Sequence, residues 1–184
     1  MKRPGVKINI FIFITSILLM SYTPVTNQDE ANAQQYAFKA AFLFNFIEYI
    51  DWKNDTESGT FNFAVLGKSP ITDQMQIIAR DQRAKNKKIN VKEYQKLDEI
   101  GFCYILFISE AFPIPVEEVV AKFQNKPVLI VTEKREGQVK NGPYINFFVE
   151  SGKLKFEINL NTVNKAGIKI SSQLLQHAII VDEQ

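Results

Sequence analysis

The chain predicts a three-layer α/β/α sandwich built on a mostly parallel sheet. Three observations carry that expectation. Strand-like and helix-like segments alternate from residue 61 to residue 133, as crossover connections between parallel strands require. Residues 103–108 (Cys-Tyr-Ile-Leu-Phe-Ile) and 128–131 (Val-Leu-Ile-Val) are apolar throughout, the mark of strands covered on both faces. After residue 133 two alternating segments flank Glu150-Ser151-Gly152, which predicts an antiparallel hairpin closing the sheet.

In chain order, residues 36–52 come first. They read Tyr-Ala-Phe-Lys-Ala-Ala-Phe-Leu-Phe-Asn-Phe-Ile-Glu-Tyr-Ile-Asp-Trp, with the only tryptophan of the chain at the end. At about 100° per residue the apolar side chains cover about two-thirds of a helix circumference, whereas a helix lying on a core needs a stripe little over 100° wide. Ala41, Asn45 and Glu48 form a narrow polar sector, and Lys39 stands alone within the apolar arc. The expected helix is therefore either sandwiched within its own chain or offers surplus apolar surface to a partner. Residues 54–60 are turn-rich and are expected to end it.

Residues 61–67 read as the first strand. Ser69 and Pro70 fit the cap and first position of a second helix, with Ile71, Met75 and Ile78 on its inner face. Asp73 near its start and Arg80 and Arg83 near its end suit the helix dipole. Residues 87–94 alternate, Ile89 and Val91 against Asn90 and Lys92, as an edge strand with one wet face does. A helical turn at residues 97–100 precedes the apolar strand at 103–108. Pro113 and Pro115 bracket the entry to a helix with Val116, Val119, Val120 and Phe123 at i, i+3, i+4 and i+7, and Glu118 pairs with Lys122 on its outer side. The hairpin strands span residues 144–149 and 154–160, with Leu154, Phe156, Ile158 and Leu160 inward. A last helix over residues 171–181 is expected to bury Leu174, Leu175, Ala178 and Ile179. Numbered from Phe61, the predicted strand order is 2-1-3-4-5-6, with the hairpin at the far edge and right-handed crossovers.

A chain of 184 residues with 46% apolar and 23% charged content is ordinary for one globular domain. A net charge of +2 gives no case for nucleic acid. Residues 1–33 read as a secretory signal: Lys2, Arg3 and Lys7 open it, residues 10–20 are an apolar run, and Ala31-Asn32-Ala33 has the small-x-small form of a cleavage site before Gln34. The run falls short of the roughly 20 apolar residues that span a bilayer. Residues 34–184 are thus expected to form one exported, periplasmic domain. Cys103 is the only cysteine, so no disulfide can form within one chain.

Catalytic equipment is sparse. His177, the only histidine, is expected on the polar side of the last helix, four positions after Gln173, with no oriented neighbour for general-base work. Nothing basic adjoins Cys103 in sequence, and one histidine with one cysteine cannot build a usual zinc site. Gly67-Lys-Ser-Pro70 lacks the preceding glycine and spacing of a phosphate loop and reads as a helix cap. Arg80, Arg83, Lys85, Lys87 and Lys88 read as a solvated helix end leading to a guarded strand edge. No catalytic residue, metal or cofactor is assigned.

Several segments together resemble the YfiR-like family of small exported bacterial proteins. They are residues 36–46 with Trp52, then Phe63-Ala-Val-Leu-Gly67, residues 103–109 and Pro127-Val-Leu-Ile-Val131. Gly152-Lys-Leu-Lys-Phe-Glu-Ile-Asn159 and residues 167–175 (Gly-Ile-Lys-Ile-Ser-Ser-Gln-Leu-Leu) complete the set. The resemblance implies a periplasmic protein without catalysis that binds and restrains a membrane-bound diguanylate cyclase, and so cyclic-di-GMP signalling. Two departures stand out. Lys53 follows the tryptophan where relatives often have proline, and the intrachain disulfides of some relatives are impossible here.

Three functional classes remain in view. The first is a regulator of a membrane signalling protein, a cyclase or a sensor kinase, bound through Phe38, Phe42, Phe46 and Tyr49 or through Phe112 and Ile114. The second is a small-molecule sensor using the carboxyl ends of the parallel strands, where Lys68, Ser69, Ser109, Glu110, Thr132 and Arg135 fall. The third, a hydrolase, has only Asp51, Glu110 or Glu133 to draw on. A homodimer through the first helix or the hairpin edge stays open.

Overall fold

The computed structural model describes residues 27–52, 59–133 and 144–181. The chain divides into two units, residues 1–32 and 33–184. Of the first, only the opening turns of a helix fall among the described residues; the sheet and the helices that cover it belong to the second. The expected signal run at residues 10–20, Lys53, most of the turn at 54–60 and Arg135 lie outside the described residues.

Helix α1 (Asn27–Glu48) stops before Trp52, which corrects the expectation of one helix through residue 52. The amide of Tyr49 donates to the Phe46 carbonyl at 2.9 Å, the chain turns, and Ile50–Trp52 forms strand β1. Its burial runs buried, exposed, buried, a period of two hidden behind the longer helical run. β1 pairs antiparallel with β9 (Ile168–Ile170). Trp52 anchors this ribbon to the main sheet. Its ring meets those of Phe61 and Tyr104 edge-on, at 5.5 and 5.6 Å, and its indole N–H donates to the Tyr104 carbonyl at 3.2 Å.

The main sheet holds β2 (Thr60–Leu66), β3 (Arg83–Ala84), β4 (Lys87–Tyr94), β5 (Ile105–Ile108) and β6 (Leu129–Glu133). β7 (Ile145–Glu150), β8 (Lys153–Asn159) and β10 (Ile179–Val181) complete it. Their order is β10-β8-β7-β6-β5-β2-β4-β3. Without the two short outer strands this is the predicted 2-1-3-4-5-6. β4, β2, β5, β6 and β7 run parallel, and β7 with β8 is the antiparallel hairpin.

Partners in register share a sheet face, so Phe63, Ile105, Leu129, Val131, Ile145, Phe147 and Phe156 lie together. Helix α1 covers that face: the Phe46 ring stacks on Phe147 at 6.0 Å and tilts onto Phe156 at 4.8 Å. Tyr144, one residue out of phase, belongs to the opposite face. There it lines a cavity with side chains of α3 (Val116–Lys122) and α4 (Leu160–Lys165). Helices on both faces make the expected three layers. The remaining helix of any length, α2 (Ile71–Asp81), buries Ile71 and Met75 and leaves Asp73 in its first turn.

The carboxyl-terminal expectation fails in two places. Leu160, expected on the inward face of the hairpin, instead starts α4, because Asn159 caps that helix by accepting from the Thr162 amide at 3.0 Å. The predicted helix over residues 171–181 shrinks to α5 (Ser172–Leu175). Ile179–Val181 instead lies parallel to β8 as β10, and Ile179 is exposed. The β-branched Ile-Ile-Val run suits a pleated surface better than a helix, and β8 offers it an open edge.

Gly67 ends β2 with a φ of +85°, and a Cβ there would lie 2.8 Å from the Phe112 Cβ. Phe112 thereby packs closely against the end of β2. Gly67→Ala will destabilise the fold by about 1–2 kcal/mol for the left-handed backbone alone, before the clash. Denaturant unfolding checks it: an unfolding free energy unchanged in Gly67→Ala would contradict this placement of Gly67 against Phe112.

Candidate partner-binding surface and buried polar cluster

The lysine in the apolar arc of α1 is not solvated. Lys39 and Glu133, at the end of β6, are 1% and 0% exposed and form an ion pair. The second Glu133 oxygen accepts from the Tyr36 hydroxyl at 3.0 Å and from the Glu110 amide at 3.4 Å. The Lys39 ammonium also lies 4.3 Å from the centroid of the Tyr36 ring. Burial, with the neighbouring Glu133 carboxylate, holds the Tyr36 phenol well above the usual tyrosine range. One helix turn separates Tyr36 from Lys39, so both reach down the same face of α1 onto one carboxylate.

This cluster sits at the carboxyl ends of the parallel strands, where open α/β sheets place ligands. Here α1 itself supplies the groups that meet those ends. Of the residues expected to form a ligand site, Ser69 and Ser109 are buried. Ser109 Oγ donates to the Lys68 carbonyl at 2.9 Å, and Ser69 Oγ accepts from the Ile71 amide at 3.3 Å. Thr132 is buried on the opposite face, donating to Asn146 Oδ1 at 2.9 Å, while Lys68 and Glu110 are exposed. Of the carboxylates weighed for hydrolysis, Glu110 and Glu133 are neighbours through the amide contact. Asp51 lies on β1, 84% exposed beside Lys85.

The other face of α1 is bare. Phe38, Phe42 and Tyr49 are 55%, 38% and 41% exposed, and with Asn45 they fall in one row, within about 60° of arc at 3.6 residues per turn. Phe46, grouped with them from the sequence, is corrected: it is 3% exposed, locked between Phe147 and Phe156. Phe112 and Ile114 are half-buried and pack against the core. Ala33 and Gln34, at the expected cleavage site, are exposed on α1.

Beside the aromatic row runs a groove of about 410 Å³, with Phe46, Phe156 and Leu174 as floor and Phe42 and Tyr49 as wall. Its far side is Gln173, Gln176 and His177. His177, expected on the polar side of a last helix, is exposed, but just after α5, at the rim of this groove. Sequence reasoning missed the groove, because its lining comes from α1, β8 and the region of α5, which are far apart in sequence.

Cys103 is buried, and burial pushes its thiol up to about 12. An acid whose folded value is raised keeps its stability contribution below the unfolded value near 9 and loses it as pH climbs toward 12. Maleimide at neutral pH will therefore label Cys103 only in denaturant, and Cys103→Ala will flatten the alkaline fall in unfolding free energy. Rapid labelling of the native chain would contradict this placement.

Among the described residues, no helix is long and apolar enough to cross a membrane. No group of three or more His, Cys, Asp or Glu side chains among them could hold a metal ion. A family model described as YfiR/HmsC-like matches residues 36–179, from the tyrosine of the buried cluster to the first residue of β10. No curated protein matches the sequence.

Proposed function

Since this chain belongs to the YfiR/HmsC-like family, we propose that it is an exported, non-enzymatic regulator. It binds the periplasmic side of a membrane-bound signalling protein, by family resemblance a diguanylate cyclase, and restrains it. The observation that carries this reading is the bare aromatic row Phe38, Phe42 and Tyr49. Single exposed apolar side chains need no explanation, but large rings aligned beside a groove fit a protein interface. Truncating such anchors often costs about 2 kcal/mol or more of binding. The internal commitments of Glu133 support the non-enzymatic part, since its carboxylate is held by Tyr36, Lys39 and the Glu110 amide.

The test is Phe38→Ser/Phe42→Ser/Tyr49→Ser. Folding will lose about 1–2 kcal/mol, most of it at the partly buried Phe42, and the variant stays folded. Cyclic-di-GMP in cells that make the membrane cyclase will rise to the level seen without the chain. An exported, folded variant that still holds cyclic-di-GMP down would remove the aromatic row from the account. Equal levels with and without the unaltered chain would remove the cyclase.

A further inference from the structure

The two edges of the main sheet are built differently. The β3 edge is two residues long and carries Arg83, in register with Lys88, while Lys85 and Lys87 flank the turn. Charge of that kind keeps another chain from pairing there. The β10 edge carries Ile179, Ile180 and Val181 and no charged side chain. It pairs with β8 on one side, and Ile179 and Ile180 are 43% and 40% exposed. Gln176 and His177 lead directly into β10 from the rim of the groove, none of whose lining residues is Lys, Arg, Asp or Glu. In a chain with 22 basic and 20 acidic residues, that keeps the three edge residues and the groove lining free of Lys, Arg, Asp and Glu, with Asp182 and Glu183 following β10 in sequence.

We propose that β10 and the groove are one docking site, taking an extended, uncharged, apolar segment of the membrane partner. The segment adds a strand to the sheet through backbone hydrogen bonds along Ile179–Val181 and seats a side chain over Phe156 and Leu174, against the Phe42 ring. This is strand addition, in which the backbone supplies affinity and the groove selects the side chain. The inference rests on the regulator reading and names the form of the partner. A second copy pairing edge to edge is the poorer occupant. Edge to edge, two copies would meet over only about 10 Å and leave both grooves empty, well short of the about 1,600 Å² that a stable dimer buries, whereas a partner segment fills the groove as well.

The experiment places a photoreactive phenylalanine at Ile180, Phe42 or Ile77 of the full chain. Ile77 is an exposed control on α2. The chains are irradiated on inner-membrane vesicles, and the crosslinked peptides are sequenced. Positions 180 and 42 will capture the same membrane protein, and the peptide joined at 180 will be a run of uncharged, strand-forming residues. Ile180→Lys will cut the crosslink from position 42 by about tenfold with the melting temperature unchanged, because an edge lysine blocks strand pairing. Capture at 42 but not at 180 overturns strand addition and leaves the regulator reading standing. A crosslink from 180 to the same chain overturns it in favour of a dimer. Capture at neither position, or equal capture at 77, overturns both.

Discussion

Lys39→Met, with Glu133 in place, will lower the unfolding free energy by about 3–5 kcal/mol, because it leaves a buried carboxylate without its counter-ion. Glu133→Leu alone will cost a similar amount by stranding the ammonium. The two together will recover most of the loss, since apolar pairs of similar volume often match or exceed a buried ion pair in stability. Urea unfolding of the four chains gives the coupling energy directly. The reason lies in the burial: both side chains are at or below 1% exposure, so water cannot take the place of either partner. A loss under about 1 kcal/mol in both single variants would place the pair at the surface. The pair lies at the same buried face of α1 as Ala40, Leu43 and Ile47. With Tyr36 and Lys39 turned onto Glu133, Phe46 points to the sheet, Phe38 points to solvent, and Phe42 lies at the border with its ring 6.4 Å from that of Phe156.

Phe46→Ala will cost about 3–5 kcal/mol, the range for emptying a buried aromatic site. The ring lies against Phe147 and Phe156 and within 6.0 Å of Phe42, so its loss opens a cavity between α1 and the sheet. Phe42→Ala, one helical turn earlier, will cost about 1 kcal/mol, the centre of the range for substitutions generally. The contrast is what matters: two phenylalanines on one helix, one structural and one free to bind. Equal losses measured by denaturant titration would mean that both rings are buried.

Much of the fold was legible because its pattern is local. Helical and strand segments alternate from Phe61 to Glu133, the two apolar strands point to a covered parallel sheet, and Glu150-Ser151-Gly152 marks the hairpin. The misses share a cause. Ile50 and Trp52 look helical when appended to a long helix, and only pairing with Ile168 and Ile170 makes them a strand. Leu174 and Leu175 with Ala178 and Ile179 have helical spacing, but β8 offers an open edge and Ile-Ile-Val takes it. Asn159 did carry a readable signal, a cap residue three before Thr162, and the alternation of the hairpin masked it. At the site, the sequence marked Lys39 as out of place and Glu133 as a carboxylate at a strand end. Nothing in it joined two residues 94 positions apart. The surplus of rings on α1 was legible, but which ring the sheet would take was not, because that depends on how the helix packs on the sheet.

The most direct measurement is the dissociation constant between the folded chain and the purified periplasmic domain of its membrane partner, with and without the aromatic row. The account predicts that Phe38→Ser/Phe42→Ser/Tyr49→Ser weakens binding by about a hundredfold or more, as expected for loss of two or more anchors, while the unfolding free energy falls by no more than about 2 kcal/mol. Binding that survives intact in the folded variant would contradict it.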